Sequence, residues 1–196
     1  MKRLLTAFVF CLVAHFQSYA QSFISDQDWS NIITSLDNED WKKADDLAKL
    51  YLQRFPADQI DADAPAILRY MYLLSEAGLM GKKKLTQQQA LKDVKEFQGH
   101  TLILPGHPIS MKEGFNSIEL SNGKPDTLMI ASTNKVATEI YSFEYIVPKQ
   151  KYDLDYFKSN AGRICRIGGW LRSVSVEGRM FPRYRLLITE AELDIK

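Results

Sequence analysis

The stretch that decides the fold is GRICRIGGWLRSVSVEGRMFPRYRLLITEAELDI, which covers residues 162–195. It contains two long apolar-rich segments, 164–176 and 181–195, joined at Glu177-Gly178, and this arrangement predicts a β-hairpin. In the second segment the apolar alternation changes phase after Ile188, and such a change requires one extra residue. We therefore predict a β-bulge near Thr189 and Glu190, where the strand bends.

The first segment of this hairpin carries Gly168 and Gly169 at mid-length. Paired glycines inside a strand permit a bend or the close approach of another backbone. Because both strands are expected to bend, the sequence predicts a sheet that curls and closes into a small barrel.

Four further strands are expected before the hairpin, because short apolar runs there are bounded by turn residues. A short helix is predicted at 154–158, just before the hairpin. In the fourth of these strands, Tyr141, Phe143, Tyr145 and Val147 are predicted to share one face. The four predicted strands cover residues 100–104, 115–120, 127–132 and 138–147.

The N-terminal half has a different apolar spacing. Apolar residues recur there every three or four positions, which predicts helices. Ser25 or Asp26 is a suitable first N-cap, Pro56 ends the second helix, and Thr86 caps the fourth. We therefore expect an α+β fold. Antiparallel helical hairpins over residues 21–98 would pack against an antiparallel β-barrel of five or six strands over residues 99–196.

Residues 1–20 have the features of a secretory signal peptide. Lys2 and Arg3 precede an apolar run over 4–14, and Ala20 ends a small-residue cleavage motif. This run is too short to cross a bilayer core about 30 Å thick. We expect an exported protein, periplasmic or extracellular once the leader is removed, with no membrane span in the mature chain.

The charge balance and the cysteines further restrict the kind of protein that this sequence encodes. The 25 Lys and Arg residues nearly equal the 24 Asp and Glu residues, so no global field attracts nucleic acid or anionic membrane. Of the two cysteines, Cys11 lies in the leader, which leaves Cys165 without an intramolecular partner. Cys165 is predicted to be a buried thiol on a strand, with a dimer bridged through it as the alternative.

Residues 38–56 resemble the second half of a tetratricopeptide repeat. A large residue, a small residue three positions later and a closing proline are features of that repeat. Ile32 stands where the repeat carries a small residue, so the preceding helix departs from the pattern. The resemblance implies a helical scaffold for protein contacts. It rests on Asn38, Trp41, Ala44, Ala48, Tyr51 and Pro56.

The strand-rich half resembles the oligonucleotide/oligosaccharide-binding (OB) fold in its layout of five or six strands with a short helix before the last pair. The glycine-centred segment 163–171 is similar to the bent strand of such barrels. The resemblance implies one groove for single-stranded nucleic acid, sugars or a protein partner, and the fold alone does not choose between them.

Two residue types in this half suit ligand binding. The rings of Tyr141 and Tyr145 are candidates for stacking on sugars or bases, and Arg172, Arg183 and Arg185 present planar forks to phosphate or carboxylate. The alternatives are that the rings fill the core and that the arginines pair with nearby acidic side chains.

No phosphate-binding loop, hydrolase or metalloprotease motif is present in the sequence. His100 and His107 lack the neighbouring cysteines or carboxylates of a metal site. We therefore expect no cofactor, no metal and no catalysis, and predict an exported binding or scaffolding protein with a protein partner. An OB-type domain for oligosaccharide is one alternative, and export disfavours single-stranded nucleic acid. A third hypothesis is an enzyme that uses Cys165 with one of the two histidines.

Overall fold

The computed structural model describes residues 23–134 and 136–196, so the predicted signal peptide lies outside the described residues. Helices form the N-terminal half of the described chain, and a mixed sheet of seven strands forms the C-terminal half. This confirms the predicted α+β class. Within these ranges, every helix is too short or too polar to span a bilayer.

The helices begin where the sequence places N-caps. Ser25 forms a capping box with Asp28, and the Thr86 side chain accepts a hydrogen bond from the backbone N–H of Gln89. Pro65 lies in the first turn of the third helix. Backbone N–H groups there have no acceptor within the helix, so the missing N–H of proline removes no hydrogen bond. In the described chain the α-helices are α1 (Asp26–Asp37), α2 (Trp41–Leu52), α3 (Asp63–Gly81), α4 (Gln87–Val94) and α5 (Leu154–Ser159).

Helix α3 is the centre of the helical layer, because it packs against α2, α4 and the sheet. The Trp41 indole of α2 lies directly on the backbone of Gly78 in α3. A Cβ atom placed on Gly78 would be only 2.1 Å from Cδ2 of Trp41. The absence of a side chain at Gly78 therefore sets how closely α2 and α3 approach.

The strands form one sheet in the order β1-β6-β7-β5-β4-β3, with β2 also paired to β6. Strands β5 and β7 are parallel neighbours, and the other paired strands are antiparallel. The strands are β1 (Thr101–Ile103), β2 (His107–Pro108), β3 (Glu119–Leu120), β4 (Leu128–Thr133), β5 (Ile140–Pro148), β6 (Ile164–Glu177) and β7 (Arg183–Ile195).

The predicted closed, antiparallel OB-type barrel is wrong, because the sheet is open and mixed. Closure requires the two edge strands to pair along their length. Strands β1 and β3, at the two ends of the order, have only three and two residues. Strand β7 also lies between β5 and β6, and it runs parallel to β5 and antiparallel to β6.

The predicted bulge near Thr189 and Glu190 is confirmed. Gly168 and Trp170 on β6 pair with Glu192 and Thr189 on β7, so two steps on β6 match three on β7. Glu190 adopts a φ of 51°, in the left-handed region. On the other side of β7, Ile146 and Pro148 of β5 pair with Ile188 and Ala191 of β7, so the extra residue of β7 also interrupts this pairing.

Gly169 on β6 leaves no room for a side chain against β7. A Cβ atom there would lie 2.8 Å from Cγ2 of Ile188 and 2.9 Å from the carbonyl oxygen of Thr189. The paired glycines therefore permit the close backbone contact that the sequence predicted, and Gly169 is the one that requires it.

The side of strand β5 that faces the helices contains two polar residues. Ser142, Glu144 and Ile146 are buried, whereas Phe143 and Tyr145 are half-buried on the opposite face. The predicted common face of Tyr141, Phe143, Tyr145 and Val147 is wrong for Tyr141. Ser132 pairs with Ser142 and Thr133 with Ile140, which makes Tyr141 an extra residue. It turns toward the helical layer, where its ring meets that of Trp41 at a centroid distance of 5.0 Å.

Candidate functional site

The face of the sheet turned away from the helices brings together three of the five predicted ligand-binding residues. We call the surface formed by Phe143, Tyr145, Arg183 and Arg185 the outer face. The Arg183 guanidinium lies 4.9 Å from the centroid of the Phe143 ring, and that of Arg185 lies 4.5 Å from the centroid of Tyr145. The parallel pairing of β5 and β7 places these side chains beside one another.

The two arginines of the outer face differ in their remaining contacts. Arg183 donates from Nε to a carboxylate oxygen of Glu177 at 3.1 Å, so one of the expected acidic partners is present. Arg185 is exposed and makes no ion pair with any residue of 23–134 or 136–196. Its N–H groups are therefore available to an anionic group from outside the chain.

The other two predicted residues lie elsewhere. Arg172 is exposed at a second bulge, between Leu171, which pairs with Ile188, and Ser173, which pairs with Leu187. Tyr141 is buried under the helical layer. The structure thus unites Tyr145, Arg183 and Arg185 and does not place all five residues in one groove.

The loop between β6 and β7, which leads into Arg183 of the outer face, carries two large exposed apolar side chains. We call residues 178–182 the hairpin tip. Met180 and Phe181 are 75% and 76% exposed, just before Arg183 in the chain. The Gln87 side chain donates a hydrogen bond to the carbonyl oxygen of Gly178 at 2.9 Å and ties the hairpin tip to α4. Two neighbouring exposed side chains of this size make the hairpin tip a candidate contact surface.

A second candidate site lies between the helices and the sheet, and we call it the interlayer cleft. It is a space of about 250 Å³. It is bounded by side chains from α1, α2 and α3 on one side and from β2, β4 and β5 on the other. Its lining includes Trp41, Tyr70, Leu74, His107, Ser132 and Tyr141.

Three residues of this lining carry buried polar atoms without a hydrogen-bond partner among the described residues. They are Nε1 of Trp41, Nε2 of His107 and the hydroxyl of Tyr141. The three residues are 7%, 9% and 5% exposed, respectively. Buried polar groups are nearly always paired in folded proteins, so these three atoms are a local departure from that rule. Each of the three atoms has almost no accessible surface of its own.

His107 has a defined protonation state. Its Nδ1 lies 3.0 Å from the carbonyl oxygen of Asn116, which only accepts hydrogen bonds, so Nδ1 carries the proton. Burial lowers the pKa of His107, and the ring is therefore neutral at neutral pH. Its Nε2 consequently offers a lone pair that accepts a hydrogen bond.

The floor of the interlayer cleft is a network around Glu144. The Tyr70 hydroxyl donates to one oxygen of Glu144 at 3.0 Å, and the Ser132 hydroxyl donates to the other at 3.1 Å. Ser142 donates a third hydrogen bond. Burial raises the pKa of Glu144 to about 7 despite these bonds. The network joins α3 to β4 and β5.

A second buried carboxyl group joins α3 to β7. Glu76 accepts hydrogen bonds from the hydroxyls of Tyr72 at 2.8 Å and Tyr184 at 2.7 Å. Burial raises its pKa to about 7 as well.

One of the two buried carboxyl groups left a signal in the sequence. Glu144 alternates with the apolar Ile146, which places it on a buried face of the strand, but the pattern does not reveal its hydroxyl partners.

The cysteine and histidine of the enzymatic hypothesis are cross-strand neighbours, because His107 on β2 pairs with Cys165 on β6. Cys165 is fully buried, as predicted. Burial raises the pKa of its thiol to about 11. A nucleophilic cysteine needs the opposite shift and access to substrate, so the geometry gives this pair no activated thiolate.

Comparisons of the chain with protein-family models, with curated proteins and with solved structures gave no match. The functional argument therefore rests on the outer face and the hairpin tip. Across 23–134 and 136–196, no group of three His, Cys, Asp or Glu side chains has the arrangement of a metal site.

Proposed function

We propose that this protein is an exported, non-catalytic binding protein that holds an acidic protein partner on its outer face. The observation that carries this proposal is the stacking of the exposed Arg185 on Tyr145, on a hairpin whose tip carries the strongly exposed Phe181. Arginine and aromatic residues of this kind dominate the binding energy of protein interfaces.

The charge of the hairpin favours an acidic partner. Over residues 171–189 the β6–β7 hairpin carries Arg172, Arg179, Arg183 and Arg185 against one acidic residue, Glu177, which pairs with Arg183. Glu190, Glu192 and Asp194 lie at the opposite end of β7. Stacking on a ring restrains a guanidinium group before binding, which reduces the conformational entropy that a partner must remove. Complementary charge then guides the approach, while Met180 and Phe181 supply apolar contact area.

The helical half serves as a tetratricopeptide-like scaffold in this proposal. The hydrogen bonds of Tyr70 to Glu144 and of Tyr184 to Glu76 tie α3 to the inner side of the sheet. The outer face is thus presented on a firmly supported sheet. Export rests on the signal features of residues 1–20.

Oligosaccharide or nucleic acid on the outer face is the weaker alternative. Stacking of a base or sugar requires an uncovered ring face. The guanidinium groups of Arg183 and Arg185 already lie over Phe143 and Tyr145. A carboxylate that binds the outer edges of the guanidinium groups requires no such displacement, and this favours an acidic peptide segment.

The test is binding of a fluorescently labelled peptide rich in Asp and Glu with one central Phe, followed by anisotropy. We expect saturable binding that weakens with salt, and an affinity loss of at least about tenfold in R183Q/R185Q. The control K92Q/K151Q removes the same charge from exposed positions elsewhere and should bind as the unmodified protein does.

Equal binding by the two double variants, or no binding by the unmodified protein, would refute the outer face as a docking site for an acidic partner. A single-stranded oligonucleotide forms the second arm of the experiment. If it binds more tightly than the peptide and shows the steep salt dependence of phosphate contacts, nucleic acid replaces protein as the partner.

A further inference from the structure

We propose that the acidic partner of the outer face is a second copy of this chain. Glu190, Glu192 and Asp194, which we call the acidic end, lie in the last part of β7. In the dimer, the outer face of each copy binds the acidic end of the other. This inference rests on the proposed function, because it names the partner of the same surface.

Charge changes sign along the side of β7 that is turned away from the helices. Arg183 and Arg185 begin this side, the half-buried Leu187 and Thr189 follow, and the acidic end completes it. At about 3.3 Å per residue, Arg185 lies about 20 Å from the acidic end along the strand. Salt screens charges over about 8 Å at physiological ionic strength. The two ends of β7 therefore do not neutralise one another within one copy.

The acidic end borders a groove of about 480 Å³ that is open to a second protein. Gly168 lines this groove without a side chain, and the Trp170 side chain next to it is 43% exposed. The charged residues of the lining are the acidic end, Asp61, Asp63, Lys149 and Arg166.

The groove remains acidic after its internal ion pairs are counted. Asp61 is balanced by Arg69 at 3.3 Å. Lys149 pairs with Glu192 at 2.9 Å and also attracts Glu190. Arg166 is the cross-strand neighbour of Asp194. One lysine and one arginine thus serve the three carboxylates of the acidic end, and the excess negative charge is available to arginines of another chain.

A two-fold axis near Leu187 and Thr189 makes this side of the sheet complementary to itself. With the β7 strands antiparallel and face to face, the outer face of each copy meets the acidic end of the other, and the contact is made twice. Parallel strands would instead place like charges together. Exposed apolar side chains near the axis, Trp170 and Val147, supply contact area between the charged ends.

Analytical ultracentrifugation of the chain that starts at Gln21 tests the dimer. We expect reversible dimers that weaken as salt rises. R183E/R185E and E192K/D194K each place like charges at both contacts and should weaken dimerisation at least about tenfold. The control K43E/K92E reverses two exposed charges of the helical layer and should dimerise as the unmodified protein does.

An equimolar mixture of the two reversed variants separates recognition from loss of folding. R183E/R185E is acidic at both ends of β7, and E192K/D194K is basic at both ends. We expect them to form a heterodimer within about threefold of the original affinity, because both contacts are again between opposite charges. Failure of two folded variants to associate would overturn the proposed arrangement, as would a dimer that both variants leave unchanged.

Peptide binding distinguishes this inference from the proposed function. A protein that stays monomeric up to about 1 mM would overturn the second copy as partner. If that monomer binds the acidic peptide and R183Q/R185Q binds it less tightly, the proposed function stands without the dimer. A dimer with the expected charge dependence but without peptide binding would support self-recognition and refute docking of other acidic proteins.

Discussion

The hydroxyl of Tyr70 donates a hydrogen bond to the carboxyl group of Glu144 across 3.0 Å, and this contact joins the central helix α3 to strand β5. Both side chains are almost fully buried, so the pair lies in the interface between the two layers. The ionisation of one carboxyl group is thereby coupled to the packing of the helical layer on the sheet.

The first prediction concerns pH. The pKa of Glu144 rises from its ordinary value of 4.5 to about 7 in the folded protein, so the unfolded state loses its proton first as pH increases. The contribution of this group to stability is complete below about pH 4.5 and decreases as pH rises through about 7. Glu144 alone should lower the free energy of unfolding in urea by on the order of 3 kcal/mol over this interval, and Glu76, whose pKa is also raised to about 7, should add to the decrease.

The variant E144Q tests this linkage, because an amide keeps an acceptor for Tyr70 and has no charge to bury. We expect a flatter pH profile and a higher free energy of unfolding than the unmodified protein above about pH 7. The exposed control E113Q should retain the decrease. An E144Q profile that follows that of the unmodified protein would contradict the assignment to Glu144.

A second prediction concerns the close contact of β6 and β7. G169A would place a methyl group within 3.0 Å of three atoms of β7, and neither backbone can move away without loss of pairing. We expect destabilisation by about 2–3 kcal/mol in chemical unfolding. The neighbouring G168A places its methyl group 3.4 Å from Cγ1 of Ile103 and should cost less than about 1 kcal/mol. Equal losses in the two variants would disprove a specific role for Gly169.

A third prediction concerns the packing of α2 on α3. G78A would bring Cβ to 2.1 Å from the Trp41 ring and should destabilise by about 3 kcal/mol. The double variant G78A/W41L should be less destabilised than the sum of the single variants, because the smaller leucine makes room for the methyl group. G81A, in the same helix, meets its nearest atom at 3.8 Å and should be neutral or slightly stabilising. Additive losses would show that the ring and Gly78 do not constrain one another.

A fourth prediction concerns Cys165. Its thiol is buried, and burial raises its pKa to about 11, so a bulky thiol reagent should react only after denaturation. In the chain that starts at Gln21, Cys165 is the sole cysteine, and the denatured protein should incorporate one equivalent. Rapid labelling of the native protein at neutral pH would instead support the enzymatic hypothesis.

Local features of the fold were predictable because they leave local signals. Ser25 and Thr86 cap the helices as expected, and the phase change after Ile188 revealed the bulge at Glu190. The order of the strands was not predictable in this way. The parallel pairing of β5 with β7 depends on contacts between segments far apart in the chain. Apolar alternation and turn residues are local patterns and do not indicate such contacts.

The candidate sites were predictable only in part, for a related reason. Arg183, Arg185 and Tyr145 were identified by residue type, and the structure brings them together through the β5–β7 pairing. The interlayer cleft was missed because its lining residues come from six separate elements. Trp41 and His107 appeared unrelated in sequence, and only the tertiary packing reveals their unpaired nitrogens.

Strand β7 occupies an interior place in the sheet although it follows every other strand of the described chain. Neither β5 nor β6 has its main neighbour until residues 183–195 have been synthesised, so a ribosome-bound or translocating chain that lacks them holds an incomplete sheet. Such non-local assembly slows folding. In the proposed export of this protein, late completion would keep the polypeptide unfolded enough to cross a translocation channel, and loss of β7 would leave both β5 and β6 without this neighbour.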